Sequence, residues 1–243
     1  MNEENSMYRI KRAIIMAAGR GERLHPVTFT TPKPMIPVNG KRIIDTVIDG
    51  LMNNGITEIY VVVGYLKEAF TALTEKYPNV TLIENPWYES CNSISSLYAA
   101  REHLEDVMMI DGDQIILDDS VLTPEFTRSG YNAAWTDDFT NEWFLQVNEE
   151  GIITSCSPNG GDHGWELFGI SRWNKEDALQ LRKDLEYEFE VKKNRGIYWD
   201  NVAMFCHPEH YKLGIHSMKL GGLMEIDSFE ELKAVDPSYR EVE

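Results

Sequence analysis

Residues 13–35 read AIIMAAGRGERLHPVTFTTPKPM, a run that mixes small residues with cations. Gly19 and Gly21, preceded by Ala17 and Ala18, let a ligand approach the backbone closely, and their N–H groups can form an anion-binding nest. Arg20, Arg23 and Lys33 add positive charge, and Pro32 and Pro34 fix the backbone on either side of Lys33. The chemistry this suits is the holding of a polyphosphate. The run is not a P-loop, because no Gly-Lys-Ser/Thr follows. It is a poor dinucleotide fingerprint, since Leu24 stands at the third glycine position. A bare Gly-x-Gly is more often an ordinary turn with solvated basic residues. Here the setting decides: 23 Lys and Arg stand against 40 Asp and Glu, a net charge of −17. Cations gathered on one loop of so acidic a chain need a purpose.

A second constellation is IDGDQ, residues 110–114. Asp111 and Asp113 at a strand end, facing a triphosphate, would make a Mg²⁺ site, because Mg²⁺ takes one or two carboxylates and completes its shell with phosphate oxygens and water. Taken alone, the pair reads equally as a turn cap. Asn92 and Ser93 open a helix, where an amide and a hydroxyl can read the edge of a pyrimidine; for Ser93 a helix-capping role is equally suited. Gly64 and Tyr65 end a strand and are candidates for the base pocket.

These groups need a frame. AIIM (13–16), EIYVVVG (58–64), VTLIEN (80–85) and DVMMIDGD (106–113) read as strands. Residues 42–53, 67–77 and 93–104 read as the helices between them, the first stopped at Asn54-Gly55 and the second at Pro78. This βαβαβαβ order predicts a mostly parallel sheet with helices on both faces and a ligand site at the carboxyl ends of the strands. The loops after Met16, Gly64, Glu84 and Ile110 should then share one site. The second half is less regular, with strands predicted at 131–136, 142–147 and 167–171 and a turn at 149–151. Helices are predicted at 174–190 and 229–235, the latter capped by Asp227 or Ser228. No linker divides the halves. The expectation is one domain over 1–243, with a nucleotide-binding half (about 9–130) and an elaborated mixed β/α acceptor-binding half (about 131–243).

The stretch AAGRGERLHPVTFTTPKPM resembles the signature of nucleotidyltransferases that join a nucleoside triphosphate to a phosphorylated small molecule. It combines the glycine pair, Arg23, Pro26, Thr28 and Pro-Lys-Pro. More narrowly, GYLKEAF (64–70), TNEWFL (140–145), YWDN (198–201) and EIDSFEEL (225–232) resemble the bacterial LicC-type CTP:phosphocholine cytidylyltransferases. The resemblance implies a Rossmann-like core, CTP and phosphocholine as substrates, and pyrophosphate release. It also implies Mg²⁺ on Asp113 and Asp227, Lys33 and Arg23 on the phosphates, and Asn92 on the cytosine side. Without it, Asp227 would read simply as a helix N-cap. Asp111 departs from the sugar-nucleotide branch, which usually has an apolar residue there.

The second half is rich in aromatic residues. Trp143 sits beside Glu142, and Tyr198-Trp199 beside Asp200. Aromatic faces with a carboxylate are what a quaternary ammonium needs, so Trp143, Tyr198, Trp199 and Asp200 form the predicted choline cage. Core packing is the alternative for one or two of these rings. Phosphoethanolamine, 2-aminoethylphosphonate or a sugar 1-phosphate are the competing acceptors, and a catalytically silent nucleotide-sensing module is the competing function. Cys91, Cys156 and Cys206 suggest neither a disulfide framework nor a zinc site. The six histidines show no metal-binding spacing, and the acidic face of 174–190 reads as solvated surface. With no apolar leader and no membrane-length apolar stretch, the expected compartment is the cytoplasm. At this charge neither nucleic acid nor an anionic membrane is an expected partner. The sequence leaves the oligomeric state open, a homodimer included.

Overall fold

The computed structural model describes residues 7–242. Its centre is a nine-stranded sheet. Strands β1 (Arg12–Ala17), β2 (Glu58–Val63), β3 (Val80–Glu84) and β4 (Val107–Asp111) are the four predicted from the first half. They pair in parallel in the order β4-β1-β2-β3. Their apolar runs fit a sheet covered on both faces. The other strands are β5 (Gly130–Thr136), β6 (Phe144–Val147), β7 (Ile153–Ser157), β8 (Gly164–Trp173) and β9 (Gly214–Ser217). β8 joins the halves: its second part pairs antiparallel with β4 (Ile170 opposite Ile110) and its first part with β6, while β5 lines its other edge.

Helix α1 (Ile43–Asn53) buries Ile43, Ile44, Val47, Ile48 and Leu51, the stripe that a 3.6-residue period produces. Each such side chain contributes roughly 1.5–3 kcal/mol by leaving water. With α2 (Thr71–Lys76) it packs on one face of the sheet. α3 (Ile94–Ala99) and α4 (Lys175–Glu186) cover the other, over Ile14, Met16, Val107 and Met109. A smaller core of Leu24, Ile36, Ile43, Ile115, Ile226 and Leu232 ties the loop after β1 to α5 (Phe229–Val235).

The helices predicted at 67–77, 93–104 and 174–190 are shorter as α-helix. The first opens with a 3₁₀ turn, Lys67–Phe70, and the second gives way to another, Arg101–His103. The third continues as a π-helical turn, Tyr187–Val191. β7, β9 and the ribbon pairing Gln114–Ile116 with Leu223–Glu225 were not predicted. No helix among the described residues is long and apolar enough to cross a membrane.

Candidate active site

β1 runs straight into the glycine loop. Gly21 adopts a left-handed backbone (φ 61°), and a Cβ there would press on the Lys33 and Thr28 side chains at 3.1 Å. The Thr28 hydroxyl donates to the Gly21 carbonyl at 2.9 Å, closing the loop on itself. Gly112 is required for a different reason: a Cβ would lie 2.6 Å from the Met16 carbonyl, because the turn after β4 packs against the end of β1. Its N–H donates to that carbonyl at 2.9 Å. The glycine loop and the IDGDQ turn are therefore held side by side.

A cavity of about 610 Å³ opens where they meet. Its floor is the 16–24 loop, Lys33 and Pro34, and its walls include Asn85, Asn92, Ser93, Asp111, Asp113, Tyr198 and Asp227. Of the four strand-end loops expected to share a site, those after β1, β3 and β4 do so. The one after β2 does not reach the wall. Tyr65 instead props the floor from behind, its hydroxyl donating to the Thr28 carbonyl at 2.8 Å and its N–H to Ala18 at 3.1 Å. Gly64 is backed by the Tyr88 ring, which a Cβ would meet at 2.8 Å. Gly64 and Tyr65, expected at the base pocket, thus stand behind the cavity and not on its lining.

Lys33 is buried, and its Nζ lies 3.0 Å from both Asp113 Oδ2 and Asp227 Oδ1. Arg23 reaches the same Asp227 oxygen at 2.9 Å. Burial disfavours the lysine's charge, but the two carboxylates outweigh it and hold the ammonium above its ordinary pKa. Asp113 and Asp227 thus direct hard oxygen donors at one point, now held by the Lys33 ammonium, and their chemistry fits Mg²⁺. α5 fixes Asp227: Ser228 caps the helix, and Glu231 accepts from the N–H groups of Asp227 (2.6 Å) and Ser228 (3.1 Å). Asp111 stands beside them on the cavity wall, half-buried. Burial, then the charges of Asp200 and Asp113, push its carboxyl well above the usual range. Burial and the Asp113 charge likewise push Glu225 up to about 8, although Gln114 donates to it at 2.9 Å.

On the other wall, Asn92 is held by its own helix start. Its Oδ1 accepts from the Ser93 N–H at 2.7 Å, and its Nδ2 donates to the Gly196 carbonyl at 3.3 Å. The Ser93 hydroxyl accepts from the Trp199 N–H at 3.1 Å. Asn85, Ser95 and Ser96 form a buried polar cluster on this wall that the sequence reading missed. Asn85 Nδ2 donates to both hydroxyls, at 2.9 and 3.1 Å. The signal available was two adjacent serines on a helix face otherwise apolar.

Of the four predicted cage residues, Tyr198 is on the cavity wall. Trp143 meets it edge-on, with ring centroids 6.1 Å apart, and meets Phe205 at 5.6 Å. Tyr198 and Phe205 are both exposed, and Phe205 was not anticipated. Trp199 is a correction. It is 1% exposed, packed at 6.0 Å on Tyr131, with its indole N–H directed at Asp111 Oδ1 (3.3 Å), so it supports Asp111 and offers no free face. Asp200 lies behind it. Burial pushes its carboxyl up to about 8, and its Oδ1 is buried without a hydrogen-bond partner.

With this geometry in place, likeness to known proteins is decisive. The nucleotidyl transferase family profile matches residues 12–128. The chain is 38% identical over 229 residues to the 2-aminoethylphosphonate cytidylyltransferase of Lancefieldella rimae, covering 93% of this chain and 92% of that one. The chain belongs to the nucleotidyltransferase family. It is also 32% identical to the choline-phosphate cytidylyltransferase of Streptococcus pneumoniae, covering 93% of this chain and 96% of that one. The solved structure of the CTP:phosphocholine cytidylyltransferase LicC from S. pneumoniae superposes with a TM-score of 0.84 over 96% of this chain and all of that one, at 31% identity. The protein is therefore an enzyme of nucleotidyl transfer, with cytidylyltransferases among its relatives, and its mixed α/β fold is theirs.

Proposed function

We propose that the enzyme transfers the cytidylyl group of CTP to phosphocholine, giving CDP-choline and pyrophosphate. The observation that carries the reading is the order of surfaces: cations on the glycine loop and paired carboxylates line the cavity, and Tyr198 on its wall continues outward into the aromatic group it forms with Trp143 and Phe205. An acceptor with a phosphate at one end and a trimethylammonium at the other matches that order. In-line attack by an acceptor phosphate oxygen forms the new O–P bond at the α-phosphorus. The bond to the β-phosphate breaks with its electron pair leaving on pyrophosphate. The acceptor phosphate is already ionised near pH 7, so no general base or covalent enzyme intermediate is required.

In this reading Lys33 stabilises charge on the α-phosphate oxygens, and Arg23 and Arg20 hold the β- and γ-phosphates. The N–H groups of residues 17–21 orient the triphosphate, and Asn92 faces the cytosine. Asp113 and Asp227 are the residues that would hold Mg²⁺, which when bound neutralises phosphate charge. Asp111, whose carboxyl burial pushes up, presents an oxygen on that wall of the cavity, oriented by the Trp199 indole N–H. Asp200 is the carboxylate that a cationic acceptor would draw into its ionised form. The continuity of the sheet through β8 supports a single catalytic domain, and the three free cysteines accord with a cytoplasmic setting.

A second acceptor has its own support. The Asp111 carboxylate on the cavity wall offers an acceptor to the N–H groups of a primary ammonium, and the Lancefieldella rimae relative is named for 2-aminoethylphosphonate. Initial rates of pyrophosphate release with CTP, Mg²⁺ and each of phosphocholine, phosphoethanolamine, 2-aminoethylphosphonate and glucose 1-phosphate separate the readings. Phosphocholine is expected to give the highest kcat/KM. A preference for either primary amine would overturn the choline reading and leave cytidylyl transfer standing.

A further inference from the structure

Two acidic residues of the helix whose acidic face reads as solvated surface turn inward. Asp184 and Glu188, four residues apart where α4 passes into its π-helical turn, are both buried. They meet His207 and His210, which lie just past a second π-helical turn, Val202–Cys206. His210 Nδ1 is 2.9 Å from Asp184 Oδ2, and His207 Nε2 is 2.8 Å from Glu188 Oε1. The two imidazole rings stack with centroids 5.3 Å apart, and ligand atoms of Asp184, His207 and His210 all lie within 4.8 Å of one another. None of these residues lines the nucleotide cavity.

We propose that Asp184, His207 and His210 form a second metal site, for a borderline divalent ion of the Zn²⁺ class, distinct from the Asp113–Asp227 pair. Two imidazoles and one carboxylate are the donor set that Zn²⁺ favours and Mg²⁺ does not. The surrounding groups are arranged as supports for ligands. Glu188 is fully buried and held by Lys192 at 2.9 Å and Asn194 at 3.0 Å, so it is kept ionised and accepts the Nε2 proton of His207. That leaves Nδ1 of His207 as the lone-pair nitrogen, the carboxylate–histidine–metal arrangement. Asp184 is oriented by Gln180, which donates to Oδ1 at 3.0 Å, and by the Tyr211 hydroxyl on Oδ2. Zn²⁺ bonds of about 2.0–2.1 Å place ligand atoms roughly 3.3 Å apart, so the Asp184–His210 pair has to open only slightly and His207 to close in. The His210 side chain is 39% exposed against 7% for Asp184, which gives an ion a route in from solvent and leaves a fourth position for water. An ion there would pin α4 to the segment 198–210, which carries Tyr198 and Phe205. Its role would be to steady the acceptor wall, with no part in the chemistry.

The test uses untagged full-length protein stripped with EDTA and titrated with Co²⁺ in the absence of nucleotide. The expected result is one equivalent of Co²⁺ with the intense visible absorption of a four-coordinate site, displaced by Zn²⁺. His210→Ala and His207→Ala should each weaken binding at least tenfold. Asp113→Ala, which disarms the nucleotide site, should leave the spectrum intact. Zn²⁺ should raise the Tm of the wild type and leave that of His210→Ala unchanged. Since His207 is largely buried, His210→Gln at the exposed ligand serves as the second variant, with circular dichroism in EDTA as the folding control. Absence of the Co²⁺ spectrum, an unchanged spectrum in folded His210→Gln, or loss in Asp113→Ala alone would overturn the site. A Tm that responds to pH but not to Zn²⁺ would do so too, leaving a protonated histidine paired with Asp184.

Discussion

In the proposed reaction, Lys33 is the residue on which the nucleotide chemistry turns. It is surrounded by carboxylates and keeps its charge. A group that stabilises charge developing in the transition state should affect turnover more than ground-state binding. Lys33→Ala is therefore expected to lower kcat by about 10²–10³-fold, the usual cost of removing one such donor, with a smaller rise in KM for CTP. Steady-state kinetics on a variant shown to be folded checks this, and a change in KM alone would demote Lys33 to ground-state binding. Lys33, Asp113 and the glycine loop were legible in the sequence because charge and backbone freedom are read directly from residue type. Asn85, Ser95, Ser96 and Glu225 were not, because a buried polar side chain looks like an exposed one until its partners are known. Trp199 misled for the same reason: a tryptophan beside an aspartate suits a cage or a core equally, and its indole N–H to Asp111 decides for the core.

At the scale of elements, the parallel strands were legible because each is a continuous apolar run between turn signals. β7 (ITSCS) and β9 (GIHS) are short and polar, and they exist because a neighbour offers an edge: β7 pairs with β6, and β9 with β5. The cap of α5 links fold and site. Ser228 accepts from the Glu231 N–H at 3.2 Å while Glu231 returns bonds to the N–H groups of Asp227 and Ser228, so helix start and carboxylate position are one structure. Loss of an N-cap hydroxyl costs about 1 kcal/mol. Ser228→Ala should show that loss in urea denaturation and should also raise the Mg²⁺ concentration for half-maximal activity. Ser228→Asp, which preserves a capping acceptor, should restore stability. An unchanged Mg²⁺ requirement in Ser228→Ala would mean that Asp227 is held by Lys33 and Arg23 alone.

For the whole molecule the decisive feature is that β8 pairs with β4 along one part and β6 along another. One strand thus spans from the carboxylates of the nucleotide half to the segment bearing Trp143. If the cavity takes the nucleotide as proposed, substrates on the two sides should be separable by mutation, because Trp143 and Phe205 do not line the cavity and, of the three rings, Tyr198 alone does. A net charge of −17 also gives the molecule a repulsive field for both substrates, so affinity must come from local contacts. A desolvated cation–π contact is worth about 2 kcal/mol, or roughly 30-fold. Trp143→Ala should raise KM for phosphocholine by about that factor and leave KM for CTP within about twofold. Phe205→Ala should do the same more weakly, since Trp is the better ring for a cation. Trp199→Ala should behave differently: with its indole gone from the core, stability falls by about 3–5 kcal/mol, and the loss of activity tracks unfolding. If Trp143→Ala instead raised the KM for CTP and phosphocholine alike, the aromatic group would be part of the frame between the halves, and recognition of the acceptor would rest on the buried carboxylates.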